Sequence, residues 1–212
     1  MRAALALLAL AWAAAISHAQ DIRARQNIEY RLIAPQAVAT GSRIEVIDFF
    51  WYGCPYCNEL QPALEGWIRH KPADVALRRI PAILRSSWAP HARLYYALEQ
   101  LNEVERLHQK VYFSYHVERL HLSKPEVTVE WAAKNGIDRQ RWLDAYSSPE
   151  VTAKVERARE LSQAYTVEVT PTLVVDGRYL TSGKHVPAAD VRDMILILDD
   201  VIRLAREQRS RR

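Results

Sequence analysis

The sequence of 212 residues is 49% hydrophobic and 25% charged and has only six glycines, which excludes collagen-like, low-complexity and largely disordered chains. The formal net charge is +4, and much of the excess lies in residues 203–212, where five arginines stand against one glutamate. We interpret this segment as a solvated basic tail and not as a nucleic-acid-binding surface. Two cysteines are too few for the disulfide framework of a small secreted domain.

The first 19 residues have the three parts of a secretory signal peptide. Arg2 gives a positive start, residues 3–16 are apolar and uncharged, and Ser17-His18-Ala19 places small residues at the two positions that a signal peptidase reads. The apolar run is shorter than the roughly 20 residues that cross a bilayer, which disfavours the alternative of a membrane anchor. We therefore predict cleavage after Ala19 and an exported chain that does not span the membrane.

The first half of the predicted fold is a βαβ unit. After a short strand at residues 30–33, residues 44–50 are apolar except for two acids, which is typical of a strand buried on both faces. A helix begins directly behind this strand, with Pro55 at its first residue and apolar side chains at helical spacing. Residues 75–80 predict the next strand.

The rest of the chain divides into a helical segment and a second β-containing part. Residues 86–163 have helical patterns throughout. Asp176-Gly177 between two β-rich runs predicts a hairpin, and a C-terminal helix follows with its apolar face on the sheet. The simplest arrangement is one α/β domain built from residues 20–85 and 164–212. An all-helical domain, residues 86–163, is inserted between its βαβ half and its C-terminal hairpin and helix.

The residues most typical of a reactive site are Cys54 and Cys57, which lie at the junction of the buried strand and the first helix. A thiol at a helix N-terminus faces unpaired amides and the positive end of the helix dipole, which favour the thiolate, so Cys54 is the expected nucleophile. Cys57, one turn on, is placed to resolve a mixed disulfide by attacking Cys54 Sγ. The alternatives are half of a zinc site, for which no second cysteine pair exists, and an inert pair.

Two further positions belong to the predicted site. Asp48, in the apolar strand, is expected to be desolvated with a raised pKa and to accept the proton of Cys57, unless it faces solvent at the strand end. Thr170-Pro171 precedes the hairpin, and a cis proline there would expose the backbone of Thr170 for pairing with a polypeptide substrate. Taken alone, the proline indicates only a turn.

The aromatic residues are divided between the core and a predicted substrate groove. Trp51 and Tyr52 are candidates for the groove wall beside the thiol, and Trp88, Tyr95 and Tyr96 fit either place. Five others are expected in the core: Phe49, Phe50, Trp67, Trp131 and Trp142.

These motifs together resemble a known family. The stretches Asp48-Phe49-Phe50-Trp51-Tyr52-Gly53-Cys54 and Ser87-Trp88-Ala89-Pro90-His91-Ala92-Arg93, with the helical insertion and the signal peptide, are similar to the DsbA family of bacterial periplasmic thiol:disulfide oxidoreductases. The resemblance implies a thioredoxin fold, a buried Asp48 and a cis Pro171. It implies a Cys54-Cys57 disulfide that is donated to newly exported proteins, with no other cofactor, and a DsbB-like membrane quinone reductase that restores it.

Tyr56 departs from the best-known members, which carry histidine at this position. A positive partner there stabilises the thiolate, whereas tyrosine offers only a hydroxyl. Our hypothesis is a milder oxidase with a higher Cys54 pKa than the histidine type has. The alternatives are an exported reductase or isomerase and, from a different class, a non-enzymatic client-binding protein.

Overall fold

The computed structural model describes residues 24–185 and 190–211. The predicted signal peptide and its cleavage point after Ala19 lie outside the described residues. Five strands form one sheet in the order β1-β5-β4-β2-β3. The strands are β1 (Arg31–Leu32), β2 (Ile44–Phe50), β3 (Val75–Pro81), β4 (Thr172–Val175) and β5 (Tyr179–Ser182).

The strand directions confirm the predicted topology. β2 pairs in parallel with β3, as a βαβ unit requires, and pairs antiparallel with β4 on its other side. β4 and β5 form the predicted hairpin, with Asp176 and Gly177 both in the left-handed region at φ 53° and 64°. A Cβ atom on Gly177 would lie 2.3 Å from the Gln36 carbonyl oxygen, so the turn requires glycine there.

The described residues form seven α-helices, and five of these follow one another between β3 and β4. This run confirms the helical pattern of residues 86–163. The helices are α1 (Pro55–His70), α2 (Ala89–Gln100), α3 (Val104–His116), α4 (Pro125–Lys134), α5 (Arg139–Ser147), α6 (Pro149–Ala164) and α7 (Met194–Ser210). No described helix is long and apolar enough to cross a bilayer.

Two clusters of buried apolar residues make up the core. The insertion-side core joins Ile47 and Phe49 of β2 to side chains of the helical segment, including Leu94, Leu107 and Trp142. The α7-side core joins Ile44 and Val46 of β2 to one face of α1 and to α7, through Leu60, Leu64, Trp67, Leu198, Val201 and Ile202. Because successive side chains of a strand point to opposite faces, β2 is buried on both.

The interpretation of residues 203–212 as a solvated tail is wrong for most of the segment. Residues up to Ser210 belong to α7, and two of its arginines bind the body of the protein. The Arg206 guanidinium lies 2.7 Å from Asp74, and Arg209 donates to Asp176 at 2.9 Å and to the Ser42 carbonyl at 2.5 Å. Ion pairs to residues far away in the sequence hold this end of the helix. A count of the charges within residues 203–212 cannot reveal them.

Candidate active site

The two cysteines lie at the start of α1, as predicted. Cys54 is the N-cap residue and Pro55 is the first residue of the helix, where a missing N–H costs nothing. The Cys54 amide donates to the Trp51 carbonyl at 2.9 Å, which closes a tight turn between β2 and α1. Cys54 is 6% exposed and Cys57 is fully buried, and both are free thiols.

The environments of the two thiols push their pKa values apart. The Cys57 thiol donates to the Cys54 sulfur and, helped by the backbone amides of Cys57 and Tyr56, lowers the pKa of Cys54 to about 6 against the opposing effect of burial. Burial in turn raises the pKa of Cys57 well above its ordinary value, and the neighbouring Cys54 raises it further. One sulfur is therefore prepared as a thiolate at neutral pH while the other keeps its proton.

The loop before β4 lies against the Cys54 sulfur. The Thr170-Pro171 peptide bond is cis, which confirms that expectation. The Cys54 thiol donates to the Thr170 carbonyl at 3.2 Å. This contact favours the protonated thiol, whereas the Thr170 side chain favours the thiolate. The Thr170 carbonyl therefore loses this hydrogen bond when the thiol ionises.

Asp48 is completely buried, so the alternative of a solvent-facing carboxylate is wrong. Burial raises its pKa to about 7, and the opposing charge of Arg79, its register partner on β3, prevents a larger rise. Neither carboxylate oxygen has a hydrogen-bond partner among the described residues. The negative charge of Asp48 is among the causes that raise the pKa of Cys57. A buried base therefore lies close enough to Cys57 to influence its proton.

A groove of about 720 Å³ opens beside Cys54. Cys54, Pro55, Tyr56, Thr170 and Pro171 all line it, so the structure brings together every predicted site residue except Asp48 and Cys57, which lie beneath. The Tyr56 side chain is 61% exposed at its rim. Trp51 and Trp88 form part of its wall and stack with ring centroids 4.1 Å apart.

Trp51 also explains the glycine of the active-site turn. Its indole covers the backbone of Gly53, and a Cβ atom there would lie 2.3 Å from the ring. Any larger residue would displace Trp51 from the groove wall.

Tyr52 does not line the groove, and the expectation that it flanks the thiol is wrong. It is fully buried, with its hydroxyl 2.8 Å from His108 Nδ1. His116 Nε2 lies 2.8 Å from the Tyr52 carbonyl oxygen. Sequence reasoning missed both histidines because 56 and 64 residues separate them from Tyr52.

The structure also shows which of the other aromatic side chains lie in the core and which in the groove. Trp88 belongs to the groove, whereas Tyr95 and Tyr96 are buried. Those predicted for the core are confirmed: Phe49, Phe50, Trp67, Trp131 and Trp142. Among the described residues, no three His, Cys, Asp or Glu side chains are grouped to hold a metal ion.

Comparison with known proteins places this site in a family. The family described as DSBA-like thioredoxin domain matches residues 45–194, most of the chain. The chain belongs to this DsbA family. The thiol:disulfide interchange protein DsbA of Bordetella parapertussis is 36% identical over 180 residues, which cover 85% of this chain and 84% of that protein. The DsbA of Burkholderia cepacia is 31% identical, over 84% and 85% of the two chains.

A solved DsbA structure has the same architecture. The crystal structure of Pseudomonas aeruginosa DsbA matches with a TM-score of 0.82 and 30% identity, over 88% of this chain and 97% of that one. The thioredoxin fold is thereby confirmed. This DsbA-family chain is a thiol:disulfide oxidoreductase that carries the Cys-x-x-Cys pair as Cys54 and Cys57, which sets aside the non-enzymatic alternative.

Proposed function

We propose that this protein is a periplasmic oxidase that donates a Cys54-Cys57 disulfide to newly exported proteins. The observation that carries the proposal is the asymmetry of the pair. Cys54 lies at the groove with its pKa lowered to about 6, whereas Cys57 is buried with its pKa raised. A thiol of low pKa is a good leaving group, which is the physical source of oxidising power in a dithiol enzyme.

The reaction has two exchanges. A client thiolate attacks Cys54 Sγ, the Cys54–Cys57 bond breaks, and Cys57 leaves and takes a proton. A second client thiolate then attacks the client sulfur of the mixed disulfide and releases Cys54 as a thiolate. The client loses two electrons and gains a disulfide, and the enzyme is left as the dithiol. The sulfur pair carries both electrons, so the proposal needs no other cofactor.

The groove and the buried acid have separate parts in this scheme. The Trp51-Trp88 wall offers an apolar surface to unfolded clients, and the backbone of Thr170 offers strand-like pairing beside the attacked sulfur. Asp48, with its pKa raised to about 7, is suited to take the proton of Cys57 when the dithiol is oxidised again. Pro55 begins the helix that holds both thiols.

The cellular location of the protein, its reoxidising partner and its domain organisation complete the proposed function. The predicted signal peptide directs the chain to the periplasm, where a DsbB-like membrane quinone reductase accepts the electrons of the dithiol. We also propose that residues 20–85 and 164–212 form one thioredoxin-like domain, interrupted by the helical domain of residues 86–163. That helical domain contributes Trp88 to the groove.

Single-cysteine variants test the direction of attack. We expect Cys54→Ala to abolish oxidation of a reduced, unfolded client peptide. With a client peptide that already carries a disulfide, Cys57→Ala should accumulate mixed disulfides, visible as a mass shift on a non-reducing gel. The Cys54 thiolate attacks the client disulfide and one client thiolate leaves, but the Cys57 thiol that would attack Cys54 Sγ and free the client is missing. Cys54→Ala is the matched control, since it keeps one thiol in the same helix. Mixed disulfides in Cys54→Ala and none in Cys57→Ala would contradict the assignment.

A further inference from the structure

Helix α3 holds Tyr52 by both of its polar ends. The Tyr52 hydroxyl lies 2.8 Å from His108 Nδ1, and the Tyr52 carbonyl lies 2.8 Å from His116 Nε2. The two histidines are about two turns apart, so the helix lies along the residue that joins β2 to the active-site turn. Phe50 packs edge-on against Tyr52 and His108 and closes the contact from the strand side.

The proton on the His116 bond can be assigned from its partner. A carbonyl oxygen only accepts hydrogen bonds, so Nε2 carries the hydrogen and donates it to Tyr52. This donor is present in the neutral ring with hydrogen on Nε2 and also in the charged ring. The bond to the Tyr52 backbone therefore does not depend on the charge of His116.

The bond acts on the part of the backbone that places the reactive thiol. Tyr52 lies between Trp51, whose carbonyl accepts from the Cys54 amide at 2.9 Å, and Gly53, which the Trp51 indole covers. The groups that stabilise the Cys54 thiolate, the Cys57 thiol and the first amides of α1, act over hydrogen-bond distances. They remain aligned only while this turn keeps Cys54 at the helix start.

We propose that His116 is a positioning residue for thiol–disulfide exchange: through the Tyr52 carbonyl it fixes the turn that sets Cys54 against the start of α1. His108 supports it by holding the Tyr52 hydroxyl from the same helix. The helical segment thereby takes part in the chemistry of a thiol to which it contributes no reacting atom. The inference rests on Cys54 being the attacked cysteine, as proposed above.

Three variants of the full mature chain test this role through the ionisation of Cys54, followed by the ultraviolet absorbance of the thiolate. His116→Leu removes the donor, and His116→Gln keeps an N–H that can reach the carbonyl. His70→Leu is the matched control, because His70 Nδ1 also lies 2.9 Å from a backbone carbonyl, that of Gly66, at the exposed end of α1. We expect His116→Leu to lower the thiolate fraction at about pH 5 by about tenfold, which corresponds to one pKa unit.

The expected pattern is loss in His116→Leu, recovery in His116→Gln and no change in His70→Leu. A His116→Leu protein that melts at a lower temperature but titrates like the wild type would show a merely structural role and overturn the proposal. If His116→Leu does not fold, His116→Gln and Tyr52→Phe decide. We expect His116→Gln to titrate like the wild type and Tyr52→Phe, which loses the bond to His108, to lose part of its thiolate. A loss of thiolate in His116→Gln together with a wild-type titration in Tyr52→Phe would refute the positioning role. An error in the cysteine assignment would instead appear as activity in Cys54→Ala.

Discussion

The two cores of this protein are built from different chemistry. The α7-side core is apolar, and the indole of Trp67 at its edge donates to Asp199 at 2.8 Å. The insertion-side core contains both cysteines and packs against buried histidines and tyrosines. Several of these buried polar atoms have no hydrogen-bond partner among the described residues, including both ring nitrogens of His91 and the hydroxyl of Tyr112.

This difference between the two cores bears on both the stability and the reactivity of the protein. An unsatisfied buried polar atom costs on the order of 1–3 kcal/mol, whereas a buried apolar side chain contributes a similar amount to stability. Buried polar groups near the dithiol therefore offset part of the stability that the apolar side chains around them supply. Asp48, fully buried with its pKa raised to about 7 by desolvation, is the extreme case of such a cost.

The largest effect is expected from Asp48→Asn. The folded-state pKa of Asp48 is raised from 3.8 to about 7, so the folded protein binds more protons than the unfolded chain between these values, and wild-type stability falls as the pH rises through this window. A difference of about three pKa units corresponds to about 4 kcal/mol. The reduced variant should therefore be more stable than the wild type by about 4 kcal/mol at pH 8.

Urea unfolding of the two reduced proteins at several pH values checks this prediction. The two free energies of unfolding should converge below about pH 3, where Asp48 is protonated in both states. A constant difference across the whole range would mean that ionisation of Asp48 is not the cause.

A smaller and opposite effect is expected in the α7-side core. Leu198 is fully buried in the α7-side core, and Leu198→Ala should lower the free energy of unfolding by about 3 kcal/mol, through lost burial and a cavity. The pKa of Cys54 should remain at its wild-type value, since none of the groups that set it lies in α7. A shifted thiol titration in this variant would break the division between the two cores.

The smallest effect concerns the exposed edge of the site. Tyr56→His introduces a side chain that can carry positive charge beside the thiolate, so the dithiol form gains stability and the disulfide becomes more oxidising. We expect about a tenfold change in the equilibrium with glutathione, or about 30 mV. Tyr56→Phe is the control, because it removes the hydroxyl without adding charge. An unchanged potential in Tyr56→His would count against a milder oxidant.

Much of the fold and half of the site follow from local patterns. Strand β2, the start of α1 at Pro55 and the hairpin at Asp176-Gly177 could be predicted because apolar periodicity, helix-start residues and turn residues act over a few positions. The burial of Asp48 follows in the same way, from an acid inside an apolar strand.

What could not be predicted depends on contacts between distant residues. Tyr52 has the same local surroundings as a groove residue, and only α3, more than 50 residues later, determines that it is buried. The arginines of α7 look like a tail until Asp74 and Asp176 come beside them. No spacing rule connects such pairs.

The reduction potential of the Cys54-Cys57 pair tests the central claim most directly. The mature chain, residues 20–212, would be equilibrated with glutathione buffers and followed by tryptophan fluorescence, to which Trp51 in the groove wall contributes. DsbA is itself the reference case of a strong thiol oxidant, at about −120 mV, and thioredoxin lies near −270 mV. We predict a value between about −120 and −170 mV. A value near −270 mV would make the protein a reductase and contradict the proposed direction of disulfide transfer.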